Sequence, residues 1–350
     1  MFHTIQKGSL EYLTADALEG AIHCFSTRYG GVSEGQFSTL NLGTSRGDKF
    51  ENVVENYRIL GSAVGFTPEE VVHTWQEHTD IILRVGKSDC GKGLFRNQPD
   101  VCDGLITNEP GVALVCFAAD CTPILFYDPV QRVVAAIHAG WRGTANGIAR
   151  KAVEKMIAEF GSRPEDICAA IGPSISQCCF ETDIDVPQAM LRAFGDEANA
   201  FIEKRGEKYF VDNKGLNKLW LTRAGVTKID VSPACTMCQP ERFWSHRYTK
   251  GHRGSHTGII KPRHEKTRFG SSHLCAFSEP AHRLLGRKAG FFMVHEQVYR
   301  QNRRPNAGRA GGCRRGGSLR PGDNRRCDRG LQRHLCLWPC LSEKLRRAPV

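Results

Sequence analysis

The stretch from Asp103 to Gly147 (DGLITNEPGVALVCFAADCTPILFYDPVQRVVAAIHAGWRGTANG) constrains the fold more than any other part of the chain. It holds three short apolar runs, Val112 to Ala118, Pro123 to Tyr127 and Arg132 to Ile137, and Asp128-Pro129 supplies a turn before the third. Runs of this length, rich in β-branched residues and bounded by turn formers, read as buried strands. Polar residues are concentrated where the runs end. Asp120 and Cys121 follow the first, and His138 follows the third, just before Ala139-Gly140-Trp141-Arg142-Gly143. A thiol and an imidazole at the ends of neighbouring core strands can converge at one rim of a sheet.

The rest of the chain supplies strands and helices in irregular alternation. Ala21 to Arg28 reads as a strand, and Phe50 to Val64 as a helix with Val53, Tyr57, Leu60 and Val64 on one face. Val71-Val72 and Ile81 to Val85 read as strands, and Ser88 to Pro99 as a surface loop. Ala145 to Phe160 reads as a helix stopped by Gly161. Beyond it we expect a strand at Ile167–Ile171, a helix at Val186–Phe194, a strand at Tyr209–Asp212, a helix at Asn213–Ala224 and a strand at Val226–Val231. Without regular βαβ alternation, the fold class is α+β with mixed sheets.

Charge separates the chain into two parts. From His256 onward there are 21 Lys+Arg against 6 Asp+Glu, so the first 255 residues carry 27 basic and 31 acidic residues. The overall charge of +11 therefore belongs to the C-terminal part, where Arg303-Arg304, Arg314-Arg315 and Arg325-Arg326 alternate with glycines. We expect a single catalytic domain over 1–255 and a basic Arg/Gly-rich tail over 256–350, disordered or translated out of frame. The tail has no aromatic interleaving and no known module, which argues against a nucleic-acid partner. No run reaches the length of a membrane span, and Met1 to Leu10 lacks the apolar core of a signal peptide. The 15 cysteines include Cys116 and Cys168 inside apolar runs, so the expectation is a reduced, cytoplasmic protein.

His78, Cys121 and His138 are the candidate catalytic and metal-ligating residues. Two imidazoles and a thiolate suit zinc, and three protein ligands leave a position open for chemistry. Spacing alone argues weakly for this, because a packed thiol and two hydrogen-bonded core histidines would look the same in sequence. Cys235-x-x-Cys238 resembles half a metal or redox site, but no second pair of matching spacing accompanies it. We read it as without a role, and Cys178-Cys179 as core or turn residues.

The surrounding motifs sharpen the reading of the triad. Thr27-Arg28-x-Gly-Gly-Val-Ser, Leu40-Asn41-Leu42-Gly43, Gly47-Asp48, Asn56-x-Arg58 and Gln76-x-His78 come first. Asp103-Gly104, Ala119-Asp120-Cys121-x-Pro123, His138 to Thr144, Ile171 to Ile175, Cys179-Phe180-Glu181 and Phe243-x-Ser245-His246-Arg247 follow in order. Over about residues 20 to 250 this pattern resembles the YfiH/LACC1 family, formerly grouped with polyphenol oxidases or laccases. The resemblance implies a four-layer α/β/β/α sandwich of the CNF1/YfiH-like type with His78, Cys121 and His138 as metal ligands. It further implies phosphorolysis of adenosine, inosine, guanosine and S-methyl-5′-thioadenosine, together with adenosine deamination. The cofactor so implied is Zn2+, with Cu2+ as the alternative, and the partners are purine nucleosides and phosphate. Arg28, Arg58 and Arg142 are candidates for holding phosphate, and Asn41 and Asp48 for contacting ribose or base, although turn-forming roles suit the last two equally. Two other activities use the same residues: an amidase with Cys121 as nucleophile and His138 as base, editing peptidoglycan precursors, and a copper-dependent polyphenol oxidase. The chain departs from the family at Thr79, where a glycine is usual, and after Ser245-His246-Arg247, where the last strand is expected to be missing or replaced.

Overall fold

Period-two burial in the strands sorts the chain into layers. The computed structural model describes residues 1–97 and 100–263, all of them within one compact unit. In chain order the first strands are β1 (Phe2–Lys7), β2 (Leu10–Ala15), β3 (Ile22–Ser26), β4 (Val71–His73), β5 (Ile82–Arg84), β6 (Gly104–Thr107), β7 (Ala113–Ala118) and β8 (Thr122–Asp128). They are followed by β9 (Val133–Ala139), β10 (Cys168–Ile171), β11 (Glu181–Thr182), β12 (Ile202–Arg205), β13 (Lys208–Val211), β14 (Lys228–Val231) and β15 (His256–Lys261). The α-helices are α1 (Phe50–Val64), α2 (Trp141–Ala145), α3 (Ile148–Phe160), α4 (Asp185–Phe194), α5 (Asn213–Arg223) and α6 (His246–Thr249).

Two six-stranded mixed sheets form the centre. One runs β1-β2-β3-β15-β7-β4 and the other β14-β10-β8-β9-β6-β5, with a small third sheet, β11-β13-β12. Alternate residues of each strand enter different cores, as the pleat requires. Leu114 and Cys116 of β7 join Leu125 of β8 and Val134 and Ala136 of β9 in the core between the two large sheets. Ala113 and Val115 point the other way, into a core shared with Val53, Tyr57 and Leu60 of α1. Ile124 and Phe126 likewise turn from the second sheet toward α3, α4 and α5. The order of layers is thus α1, sheet, sheet, helices, which is the α/β/β/α sandwich implied by the resemblance. No helix among the described residues is long and apolar enough to cross a membrane.

Helix α1 ends where Gly65 adopts φ +115°, with its amide bonded to Gly61 O at 2.8 Å. That conformation suits glycine and stops the helix. The helix expected over 145–160 is broken. Gly147, at φ +76°, separates α2 from α3, so the segment after β9 turns before the long helix begins.

Two expectations about the ends of elements need correction. The boundary placed after residue 255 cuts the fold, because β15 lies at the middle of the first sheet. It pairs antiparallel with β3 on one side and β7 on the other, Gly258 facing both Phe25 and Cys116. Ile259 and Ile260 are fully buried, each contributing about 1.5–3 kcal/mol by burial. The last strand is therefore neither missing nor replaced. The remainder of the expected tail, from residue 264, lies outside the described residues. Moreover, β7 and β8 are not neighbours in one sheet: the chain crosses from one large sheet to the other between Ala118 and Thr122.

Candidate active site

That crossover carries Asp120 and Cys121. Asp120 has φ +86°, an uncommon conformation for a residue with a side chain. Its carboxylate accepts from the Thr236 hydroxyl at 2.7 Å and the Arg247 amide at 2.6 Å. Across the β8–β9 ladder Pro123 faces His138 and Thr122 faces Ala139, which brings Cys121 alongside Gly140. The third member, His78, sits between β4 and β5 in the left-handed region at φ +60°. The ligating atoms of His78, Cys121 and His138 all lie within 4.8 Å of one another, with Cys121 Sγ 3.8 Å from His78 Nε2. Gly140 makes this approach possible. A Cβ there would stand 2.7 Å from His78 Cδ2.

One carboxylate holds two of the three ligands in place. Asp103 immediately precedes β6 and is fully buried. His138 Nδ1 donates to Asp103 Oδ1 at 2.7 Å, which leaves Nε2 for the cluster. The amides of Glu77, His78 and Thr79 also donate to this carboxylate, at 3.3, 3.2 and 2.7 Å, and the Thr79 hydroxyl does so at 2.7 Å. A carboxylate behind a ligating imidazole fixes its tautomer and ring orientation. Here the same group also pins the loop that carries His78. Thr79, the departure from the family glycine, thus adds a bond to the support.

The electrostatics follow from this packing. Burial pushes the Asp103 carboxyl up, but His138 and Thr79 outweigh it and hold it below its ordinary value. Burial also opposes ionisation of Cys121, yet the facing His138 and His78 rings bring the thiol down to about 6. His138 is opposed by burial and lifted to about 9 by the Cys121 sulfur and Asp103. The sulfur and the ring thus each favour the charged form of the other. A thiolate and two imidazoles behind an orienting carboxylate fit a zinc-type ion.

Two cavities, of about 280 and 430 Å3, meet at the cluster, and Cys121, His78, Arg46 and Arg253 line both. Gln76 lines the smaller cavity, where its side chain bonds the backbone of Phe117 at both ends, N–H to O at 2.9 Å and amide to Oε1 at 2.7 Å. Arg253 is half-buried. Its Nη1 donates to Gly254 O and Ser255 Oγ, while its Nε has no partner. Burial lowers its pKa to about 10, still a cation at neutral pH.

The other residues expected to bind substrate fare differently. Arg142 lines the larger cavity, its guanidinium 4.1 Å from the Trp141 ring centroid. Arg28, Asn41, Asp48 and Arg58 line neither cavity. Arg28 donates to Ser38 O and Pro240 O and lies over the Trp244 ring at 4.0 Å. Asn41 is fully buried and accepts from the Gly43 and Ser255 amides, while Asp48 accepts from Ser33 and Asn41. Arg58 pairs with Glu55 one helical turn away on exposed α1 surface. All four are engaged in contacts within the scaffold. Sequence reading missed Asp103, Arg46 and Arg253. Asp103 stood in a quoted motif without a role, Arg46 immediately precedes the Gly47-Asp48 motif, and Arg253 lay two residues from the boundary drawn too early.

Comparison with known proteins agrees with this architecture. A family model described as multi-copper polyphenol oxidoreductase laccase matches residues 22–263. A purine nucleoside phosphorylase, YlmD of Geobacillus stearothermophilus, is 38% identical over 258 residues, covering 72% of this chain and 94% of that protein. The human purine nucleoside phosphorylase LACC1 is 33% identical over 265 residues, 73% of this chain and 59% of that protein. The crystal structure of Bacillus licheniformis YfiH superposes with a TM-score of 0.71 at 32% identity, covering 74% of this chain and 99% of that one. With its site assembled at the crossover between two sheets and its relatives at this level of identity, the chain belongs to the YfiH/LACC1 family.

Proposed function

We propose that the chain is a zinc-dependent purine nucleoside phosphorylase that accepts adenosine, inosine, guanosine and S-methyl-5′-thioadenosine, and that it also deaminates adenosine in a reducing, cytoplasmic setting. The observation that carries the reading is the meeting of two cavities at His78, Cys121 and His138, with Arg46 and Arg253 common to both walls. The names of the relatives, purine nucleoside phosphorylases, support the same reading.

Phosphorolysis joins a phosphate oxygen to C1′ as the bond from C1′ to the purine nitrogen breaks. The reaction needs a cationic cradle for the nucleophile, and Arg46 and Arg253 are placed to supply it, with Arg142 further along the larger cavity. A guanidinium binds phosphate through paired, charge-assisted hydrogen bonds. Arg253, which lines both cavities, is one such group. His78, Cys121 and His138 would hold the zinc ion, which when bound would supply a Lewis acid at the site. Asp103 keeps His138 Nδ1 protonated and the ring fixed, so that substrate binding does not require the site to reorganise.

Product analysis of inosine turnover tests the proposal. Hypoxanthine and ribose 1-phosphate should appear only with phosphate present, and release of base at the same rate in phosphate-free buffer would overturn it. The pairing of a lowered Cys121 thiol with His138 favours one second reading, the nucleophilic-cysteine amidase. That reading requires a substrate-derived thioester on Cys121 and turnover independent of phosphate and metal.

A further inference from the structure

Strands β10 and β14 run parallel and adjacent, Ile171 opposite Val231. Their following loops therefore leave the sheet side by side. Cys178 lies seven residues beyond Ile171, and Cys238 seven residues beyond Val231. The loops stay paired after a slip of one residue. Ser174 bridges Cys235, the Thr236 amide donates to Ser174 O at 3.2 Å, and the Ser176 amide donates to Cys235 Sγ at 3.4 Å. Each loop then folds into a turn. The amides of Cys179 and Phe180 both donate to Ser176 O at 2.9 Å, and that of Gln239 donates to Cys235 O at 3.1 Å. The first turn brings two adjacent cysteines to the same side, which an extended strand would not do. The second brings the ends of Cys235-x-x-Cys238 together.

As a result, the sulfurs of Cys178, Cys179, Cys235 and Cys238 all lie within 4.8 Å of one another. Cys178 and Cys179 are 3.6 Å apart, Cys178 and Cys238 3.6 Å, and Cys179 and Cys238 3.3 Å. These separations are near the edge of a tetrahedral zinc tetrathiolate, which is roughly 3.8 Å for a zinc–sulfur bond of about 2.3 Å. Four thiols gain little from bonding one another, since S–H is a weak donor and sulfur a weak acceptor. Four thiolates would repel. A soft divalent cation removes both difficulties.

We infer that Cys178, Cys179, Cys235 and Cys238 form a second, closed metal site, a mononuclear zinc tetrathiolate. It would staple the two loops whose Ile175 amide and Thr236 hydroxyl hold Asp120, at 2.9 and 2.7 Å, next to Cys121. The sequence expectation that Cys235-x-x-Cys238 has no partner is corrected by this geometry. The second pair is Cys178-Cys179, which has no matching spacing to betray it.

The test uses the full chain, purified under reductant and loaded with zinc or with cobalt(II) as a spectroscopic probe. A His78→Ala/Cys121→Ala variant should retain one zinc per chain, and with cobalt should show the intense thiolate-to-metal charge-transfer bands of four sulfur ligands. A Cys178→Ser/Cys238→Ser variant should lose that metal and those bands, and both altered positions are exposed, so the fold should tolerate serine. In wild-type protein a maleimide should modify Cys178 and Cys238 only after chelation. Absence of the tetrathiolate spectrum from the His78→Ala/Cys121→Ala protein overturns the site. So does its persistence in the serine variant, or rapid labelling of Cys178 and Cys238 with zinc present.

Discussion

The two clusters of soft ligands in this molecule are built in opposite ways. His78, Cys121 and His138 come from three separate segments, and a fully buried carboxylate, Asp103, orients two of them. Cys178, Cys179, Cys235 and Cys238 come from two turns at the ends of parallel strands, and two of the four are exposed. The inner cluster has three ligands, an opening to two cavities and a supporting hydrogen-bond network. The outer has four ligands and leaves no position free. An incomplete ligand set must be held by the protein, whereas a complete one can be held by its metal. The inner site should therefore be sensitive to changes in the fold and the outer site to chelation.

The largest effect should come from taking away the fold beneath the inner cluster. A chain ending after Gly254 lacks β15, which fills the middle of the first sheet, and should lose cooperative unfolding altogether. A chain ending after Arg263 keeps the strand and should retain the activity of the full chain. Parallel thermal melts and inosine assays check this. Equal behaviour of the two truncations would mean that the inner site does not depend on the sheet. Next in size, Asp103→Asn should lower metal affinity or turnover about 10–100-fold while leaving the cobalt spectrum of the outer cluster intact. Metal titration with activity assays reads both, and loss of the outer spectrum as well would erase the distinction between the two clusters.

Smaller still is the separation of cavity arginines from structural ones. Arg253→Ala should raise the KM for phosphate at least about tenfold, the loss of a charge-assisted contact of about 1.5–3 kcal/mol. Arg58→Ala should leave kinetics unchanged and shift stability by less than about 1 kcal/mol, as an exposed ion pair within one helix. Initial rates at varied phosphate separate them.

Much of this was legible in residue order. The runs at Val112, Pro123 and Arg132 became β7, β8 and β9, because period-two burial on both faces requires uninterrupted apolar residues. The face of α1 was visible at Val53, Tyr57 and Leu60. The hairpin of β1 and β2 was not read, since β1 is largely exposed and carries no apolar alternation. Convergence of the triad was anticipated, but its support was not: Asp103 acts through bonds to residues 24 and 35 positions away, which no local pattern encodes. The four cysteines were hidden for the same reason, their pairing fixed by the register of β10 and β14. Arginines were the least legible. Chemically identical, they are sorted between cavity and scaffold only by where the sheets bring them.

The position of β15 has a further consequence, for the order in which the molecule can be made. Its pairing closes the sheet between segments far apart in the chain, Thr257 meeting Ser26 across 231 positions and Cys116 meeting Gly258 across 142. Loop closure over such distances is entropically late, and folds dominated by such contacts form slowly. On the ribosome, β3 and β7 emerge long before the strand that must lie between them. Until then both present open edges with unpaired amides and carbonyls, the kind of surface on which nascent chains pair wrongly with one another. The inner site lies at the end of β7, so it should be among the last parts of the protein to mature. A pulse-labelled nascent chain stalled before residue 256 should expose Cys116, whose sulfur bonds Gly258 O in the complete sheet, to alkylation, and one released past residue 263 should protect it.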